Sequence, residues 1–121
     1  MSRVLIVDDS PVIRKVARRI LQDVARDIGE AEDGQSGLDA CSQAMPDAIL
    51  LDSNMPMMDG YEFLRRLRAM PDGDRPKVIF CTTEHDVGHI ARAMHAGADD
   101  YMVKPFDRAM ILAKFAEAGV S

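Results

Sequence analysis

A chain of 121 residues is the size of one domain and can bury a proper core without disulfides or a structural metal. Its 47% apolar and 29% charged residues are those of an ordinary globule, and no apolar run approaches the roughly 20 residues of a membrane span. The net charge of −5 argues against a nucleic-acid surface, and no signal peptide precedes the first apolar run, so a cytoplasmic monomer with neither nucleic-acid nor membrane partners is expected.

Arg3-Val4-Leu5-Ile6-Val7 is a continuous apolar run, as in a strand buried on both faces, and it ends at Asp8-Asp9. Ser10-Pro11 follows as an N-cap with proline at the first helical position. Ile13, Val16, Ala17, Ile20, Leu21 and Val24 then recur at helical spacing and predict the inward stripe. Arg14, Lys15, Arg18 and Arg19 lie off it, either as a plain solvated face or as a docking surface for an acidic partner. Residues 27 to 32 predict a strand, but Ile28-Gly29-Glu30-Ala31 is of mixed polarity, which suits a sheet edge. Asp33-Gly34 turns into a helix with Leu38, Cys41 and Met45 inward, closed by Met45-Pro46-Asp47.

Ala48-Ile49-Leu50-Leu51 is the next doubly buried strand. It stops at Asp52, and Pro56 forbids its continuation. Asp59-Gly60-Tyr61-Glu62 fits a capping box with Asp as cap, and Phe63, Leu64 and Leu67 face inward from the helix it opens. Pro71 to Pro76 is a loop. Val78-Ile79-Phe80-Cys81 makes a further buried strand ending in Thr82-Thr83, followed by a helix with Val87, Ile90, Ala91 and Met94 inward, stopped by Gly97. Tyr101-Met102-Val103 is the last strand, closed by Lys104-Pro105. Asp107 caps a final helix with Ile111 and Phe115 inward. Cys41 and Cys81 sit in separate apolar patterns and read as reduced core thiols.

Five strands alternating with five helices predict an α/β fold, a doubly wound parallel sheet in a three-layer sandwich. The order 2-1-3-4-5 puts the weak second strand at an edge and opens a crevice above Val7 and Leu51, where such sheets build their sites. With neighbouring strands roughly 4.8 Å apart, Asp8, Asp9 and Asp52 converge. Three carboxylates so close repel one another unless a cation sits among them, and an all-oxygen set suits Mg²⁺. Thr82 and Lys104 end the next two strands. No Ser-His or Cys-His pair and no P-loop accompanies them. An Asp nucleophile, a Mg²⁺ site, one hydroxyl and one ammonium are the parts that phosphoryl transfer needs.

Val7-Asp8-Asp9-Ser10, Leu51-Asp52-Ser53-Asn54-Met55-Pro56-Met57-Met58-Asp59-Gly60, Cys81-Thr82-Thr83, Ala96 to Tyr101 and Lys104-Pro105-Phe106 together resemble the receiver domain of bacterial response regulators. The resemblance covers essentially the whole chain and is strongest to stand-alone, chemotaxis-type (CheY-like) members of flavodoxin-like fold. It implies a single receiver domain over residues 1–121 with no output domain. It implies that Asp52 accepts phosphate from a histidine kinase or a histidine phosphotransfer protein, and that the phosphorylated form acts on an unknown protein target. By the same resemblance Asp9, Asp52 and the Asn54 carbonyl bind Mg²⁺ directly, with Asp8 acting through water. Thr82 and Lys104 bind the phosphoryl oxygens, Tyr101 is the aromatic switch, and the Lys104-Pro105 bond is cis. Such a protein is no enzyme beyond its own phosphotransfer and dephosphorylation.

Two rivals are weaker. A phosphatase of the haloacid-dehalogenase kind wants a second Asp two residues after the nucleophile, where Asn54 stands, and a cap domain. An adaptor that never uses phosphate has no need of the acidic pair, Thr82 and Lys104. A phosphorelay shuttle or a phosphate sink fits the same residues as a motor-type switch, whereas a second-messenger binder would show more arginine near the last helix than Arg108 and Lys114 supply. His85 and His89 have a zinc-compatible spacing but read as a surface pair, and Met55, Met57 and Met58 are either a docking patch or packing. If phosphate turns Thr82, Tyr101 swings into the vacated space and the Gly88-bearing helix shifts. His89, Arg92, Tyr101 and an exposed Leu112 then form the partner face.

Overall fold

The computed structural model describes residues 2–83 and 87–120. Strands β1 (Arg3–Val7), β2 (Asp27–Ala31), β3 (Ala48–Asp52), β4 (Lys77–Thr82) and β5 (Asp100–Val103) alternate with helices α1 (Pro11–Leu21), α2 (Gly34–Gln43), α3 (Gly60–Arg68), α4 (Val87–Ala96) and α5 (Arg108–Glu117). All pairings are parallel and the order is β2-β1-β3-β4-β5, so the direction of winding reverses between β1 and β3. Among the described residues no helix is long and apolar enough to cross a membrane.

Strand residues alternate between two cores because successive side chains leave opposite faces. Leu5, Val7, Ile49, Leu51, Val78 and Phe80 pack under α2 and α3 with Leu38, Phe63, Leu64 and Leu67. Val4, Ile6, Leu50, Ile79, Cys81 and Met102 pack under α1 and α5 with Ala17, Ile20, Leu21, Ile111 and Phe115. Each Val, Leu, Ile, Phe or Met among them, fully buried, contributes about 1.5–3 kcal/mol. The weakly patterned β2 pairs along its full length, from Arg3 opposite Asp27 to Val7 opposite Ala31. Both cysteines are free and buried, and burial pushes the Cys41 and Cys81 thiols up to about 11 and about 12.

The helices begin where their caps lie. Ser10, Asp33, Asp59 and Asp107 each accept a hydrogen bond from the backbone N–H three residues on. Gly97, at φ +124°, ends α4 in the left-handed conformation that favours glycine.

Two inward stripes differ from the sequence pattern. In α1, Val16 is exposed while Ala17, Ile20 and Leu21 carry the contact. In α4 the whole face is turned: Val87, Ala91 and Met94 point outward, and only Ala93 is buried, flanked by half-buried His89, Ile90 and Ala96. The Tyr61 and Phe80 rings already fill the space beneath α4, leaving room for an alanine and a flat imidazole. Met45 lies beyond the end of α2, half-buried against the core.

Arg68, the last residue of α3, ties the loop that follows it to the turn after α4. Its guanidinium donates to the carbonyls of Gly73 and Pro76, both at 2.8 Å, to that of Gly97 at 2.7 and 3.1 Å, and to the Asp99 carboxylate at 3.1 Å. Arg68→Ala removes the shared donor of three backbone carbonyls and is expected to cost about 2 kcal/mol. Thermal melting should fall by roughly 6–12 °C. An unchanged midpoint would mean that water replaces the guanidinium without loss.

Candidate functional site

The site lies where β1, β3, β4 and β5 end. Asp8 follows β1 and is buried. Its amide donates to the Ala31 carbonyl at 3.1 Å, one carboxylate oxygen accepts from the Ser10 amide at 2.9 Å, and the other faces Lys104 Nζ at 3.0 Å. Asp52 is the last residue of β3, opposite Cys81, and its carboxylate is 3.1 Å from the same ammonium. Asp9 is exposed beside them. One oxygen from each of Asp8, Asp9 and Asp52 lies within 4.8 Å of the others.

This donor set fits a hard cation. It is oxygen only, it is anionic, and Asp9 leaves one side open to water, as Mg²⁺ prefers. The electrostatics show the need for positive charge. Burial first, and then the neighbouring Asp8 charge, hold the Asp52 carboxyl above its ordinary pKa, although Lys104 and the Asn54 amide pull the other way. Burial opposes the Lys104 ammonium, but its hydrogen bond to Asp8 and the charge of Asp52 outweigh that, leaving its pKa above the ordinary value.

Lys104 follows β5. Its amide donates to the Thr82 carbonyl at 2.7 Å, and the Lys104–Pro105 peptide is cis. Thr82 closes β4 and is 1% exposed, its hydroxyl 3.1 Å from His89 Nε2. Asn54 is exposed two residues beyond Asp52. Tyr101 lies on β5, opposite Phe80, with 38% of its surface in water and Lys114 Nζ 5.7 Å from its ring centroid.

Several expected positions differ. His89 is half-buried between Thr82 and Tyr61, because an imidazole fits under α4 where both ring nitrogens find partners. Leu112 is half-buried against the α1–α5 core, not exposed. Arg92 is exposed, but its guanidinium lies 4.1 Å over the Tyr61 ring. His85, the other member of the histidine pair, lies outside the described residues. Met55 and Met58 are core residues, and only Met57, at φ +68°, is thrown outward, 91% exposed, so the three methionines form no common patch.

The basic face of α1 is also partly committed. Arg14 and Arg18 both pair with Glu30 on β2, and Arg14 donates to the Asp8 carbonyl at 2.7 Å. Arg14 therefore braces the loop that carries the acidic pair. Nothing in its spacing sets it apart from Lys15 or Arg19. Tyr61 likewise carried no signal beyond its place inside the capping motif.

A family model described as the response regulator receiver domain matches residues 4–116. Response regulator MprA of Mycolicibacterium vanbaalenii is 38% identical over 112 residues, 93% of this chain and 48% of that protein. The chain thus spans about half the length of the curated relatives it matches. Among solved structures, chemotaxis protein CheY4 of Vibrio cholerae superposes with a TM-score of 0.92 at 32% identity, covering 98% of both chains. A receiver domain of DrrB described as BeF3-activated gives 0.87 at 27% identity, with 98% and 97% covered.

Proposed function

The chain belongs to the response regulator receiver family, and from that premise we propose that it is switched by phosphorylation of Asp52. The observation that carries this is the single ammonium of Lys104, at 3.0 Å from Asp8 and 3.1 Å from Asp52. One positive charge there faces two buried carboxylates and the place where a phosphoryl group would sit.

A carboxylate oxygen of Asp52 attacks the phosphorus of a phosphohistidine on a histidine kinase or a histidine phosphotransfer protein. The new P–O bond forms as the P–N bond breaks, and the imidazole leaves with its electron pair. Lys104 balances charge on the phosphoryl oxygens, and Thr82 donates its hydroxyl proton to one of them. Asp8, Asp9, Asp52 and the Asn54 carbonyl would hold Mg²⁺, which supplies further neutralisation of the transferred group. The chemistry ends with the protein's own phosphorylation and dephosphorylation. The protein acts as a monomer in the cytoplasm.

The output is the face made by α4, β5 and α5. Tyr101 stands on it, joined by outward-turned Val87 and Met94, whereas Arg92 leans the other way, over Tyr61 of α3. Phosphate on Asp52 draws Thr82 toward it, and Tyr101 moves inward. A phosphorelay shuttle or phosphate sink would use the same pocket and leave this face still.

Acetyl phosphate with Mg²⁺ should add one phosphoryl group, read by intact mass, and Asp52→Asn should lose the labelling completely. Labelling of Asp52→Asn at the wild-type level would sink the assignment. Beryllofluoride on the unmodified chain should move amide signals through residues 87 to 115. Changes confined to the pocket would favour the shuttle or sink.

A further inference from the structure

Thr82, which the phosphoryl chemistry above uses, is hydrogen-bonded in this state to His89 and through it to Tyr61, two residues that chemistry does not use. The hydrogen-bonded chain runs from the buried Thr82 hydroxyl, 3.1 Å from His89 Nε2, through the imidazole to the Tyr61 hydroxyl at Nδ1. Tyr61 also reaches the backbone carbonyl of His89 at 3.0 Å. The proton positions follow from what each group can do. A carbonyl only accepts, so the phenol gives it its one proton. The phenol oxygen then accepts from Nδ1–H, and in the neutral ring Nε2 is left as an acceptor for the Thr82 proton.

The imidazole is also held by its neighbours. Its ring stands edge-on to Tyr61 at 5.2 Å and lies 5.9 Å from Phe80, and Tyr61 is itself capped by Arg92 at 4.1 Å. Both Tyr61 and Phe80 are buried. The chain joins β4, α4 and α3.

We propose that His89 is a positioning residue that holds the Thr82 proton in the unphosphorylated state, and so sets how readily phosphate on Asp52 recruits Thr82. This rests on the assignment of Asp52 as phosphoacceptor and of Thr82 as donor to the phosphoryl group. A threonine hydroxyl has one proton and cannot give it to Nε2 and to a phosphoryl oxygen at once. Recruitment therefore breaks the Thr82–His89 bond and releases α4 from the end of β4. The coupling is reciprocal: a partner that draws His89 away from Thr82 strengthens phosphoryl binding by the same factor.

Beryllofluoride affinity, measured by NMR titration in four chains, tests this. One neutral hydrogen bond is worth about fivefold, so His89→Leu should bind beryllofluoride about five times more tightly than wild type. The same substitution in a Thr82→Ala chain should change nothing, because the competition it relieves is already gone. An equal effect in both backgrounds, or none in either, overturns the proposal. Absence of beryllofluoride binding to wild type would instead overturn the Asp52 assignment and this proposal with it.

A second measurement needs no substitution. Ring ¹⁵N shifts of His89 in the intact protein should show a protonated Nδ1 and a bare Nε2, with the Nε2 signal moving when beryllofluoride is added. A neutral ring protonated at Nε2 before addition, or an Nε2 signal indifferent to the ligand, would refute the assignment.

Discussion

Lys104→Ala is expected to lower the stability of the metal-free protein by about 3 kcal/mol at neutral pH, because it leaves two buried carboxylates without their counter-charge. Nζ lies 3.0 Å from Asp8 and 3.1 Å from Asp52, whose side chains are only 5% and 7% exposed. The sign of the pH dependence is set by Asp52. Its folded pKa lies above the ordinary 3.8, so the folded protein holds that proton more tightly than the unfolded chain. Stability therefore declines as pH rises from 3.8 through the folded value, and is level above it. Without the ammonium that window extends to higher pH. The contribution of Lys104, raised above 10.5, is fully present below that pH and lost as pH climbs through the folded value.

Thermal melting of Lys104→Ala in metal-free buffer at pH 7 should thus fall by roughly 10 °C or more. Acidification should narrow the gap from wild type, since Asp52 once protonated no longer repels its neighbour. Millimolar Mg²⁺ should recover most of the loss by binding only the folded acids. The phosphoryl group would still lack its ammonium, so the response to phosphate should stay lost even when the fold is restored. Coincident melting curves without metal would show that Lys104 does not neutralise the pair.

The parts of this site that could be read from sequence are those that parallel strands announce. Residues 4–7, 48–51 and 78–81 are continuous apolar runs because both faces of the sheet are covered, and each run stops at a residue of the proposed phosphoryl site. The strand order follows from right-handed crossovers, which leave few layouts, together with the mixed polarity of residues 27–31, which puts that strand at an edge and the apolar first, third and fourth inside. What could not be read was decided by neighbours far along the chain. The α4 helix carries Val87, Ile90, Ala91, Ala93, Met94 and Ala96 almost all round, so periodicity does not choose a face, and the Tyr61 and Phe80 rings do.

Long polar side chains misled for a related reason. Arg14 and Arg18 sit off the apolar stripe, yet their stems are long enough to reach Glu30, and Arg14 also reaches the Asp8 carbonyl. His89 reads as half of a surface pair because no third ligand accompanies it and His85 in the sequence, whereas its two nitrogens allow it inside once Thr82 and Tyr61 are beside it. Arg68 had no local pattern at all. Its three carbonyl partners, on Gly73, Pro76 and Gly97, are brought together only by the fold.

Gly60→Ala should be the most damaging single-methyl change near the site. In the sequence Gly60 reads as the residue after a helix cap. In the fold it is where α3 touches the strand that carries Asp52. Its amide donates to the Ser53 carbonyl at 3.0 Å, and an added Cβ would lie 2.7 Å from Phe80 Cε1 and 3.0 Å from both the Asp52 carbonyl oxygen and Ser53 Cα. Phe80 is fully buried, and two of the three neighbours are backbone, so neither side can yield cheaply. The overpacking should cost about 1–3 kcal/mol and lower the melting point by roughly 5–10 °C. The larger effect is on chemistry. Relief of the clash moves the end of β3, and a shift of about 1 Å in a reacting group can cost on the order of a hundredfold in rate. Labelling of Asp52 by acetyl phosphate, at a temperature where the variant is still folded, should therefore slow at least about tenfold. Gly119→Ala is the control: nothing lies within 4 Å of its added Cβ, and only its φ of +91° opposes the methyl, so it should lose about 1 kcal/mol and label at the wild-type rate. Equal labelling rates for the two variants would mean that the carboxylate is not held by the contact between α3 and β3, and that the loop after Asp52 absorbs the strain instead.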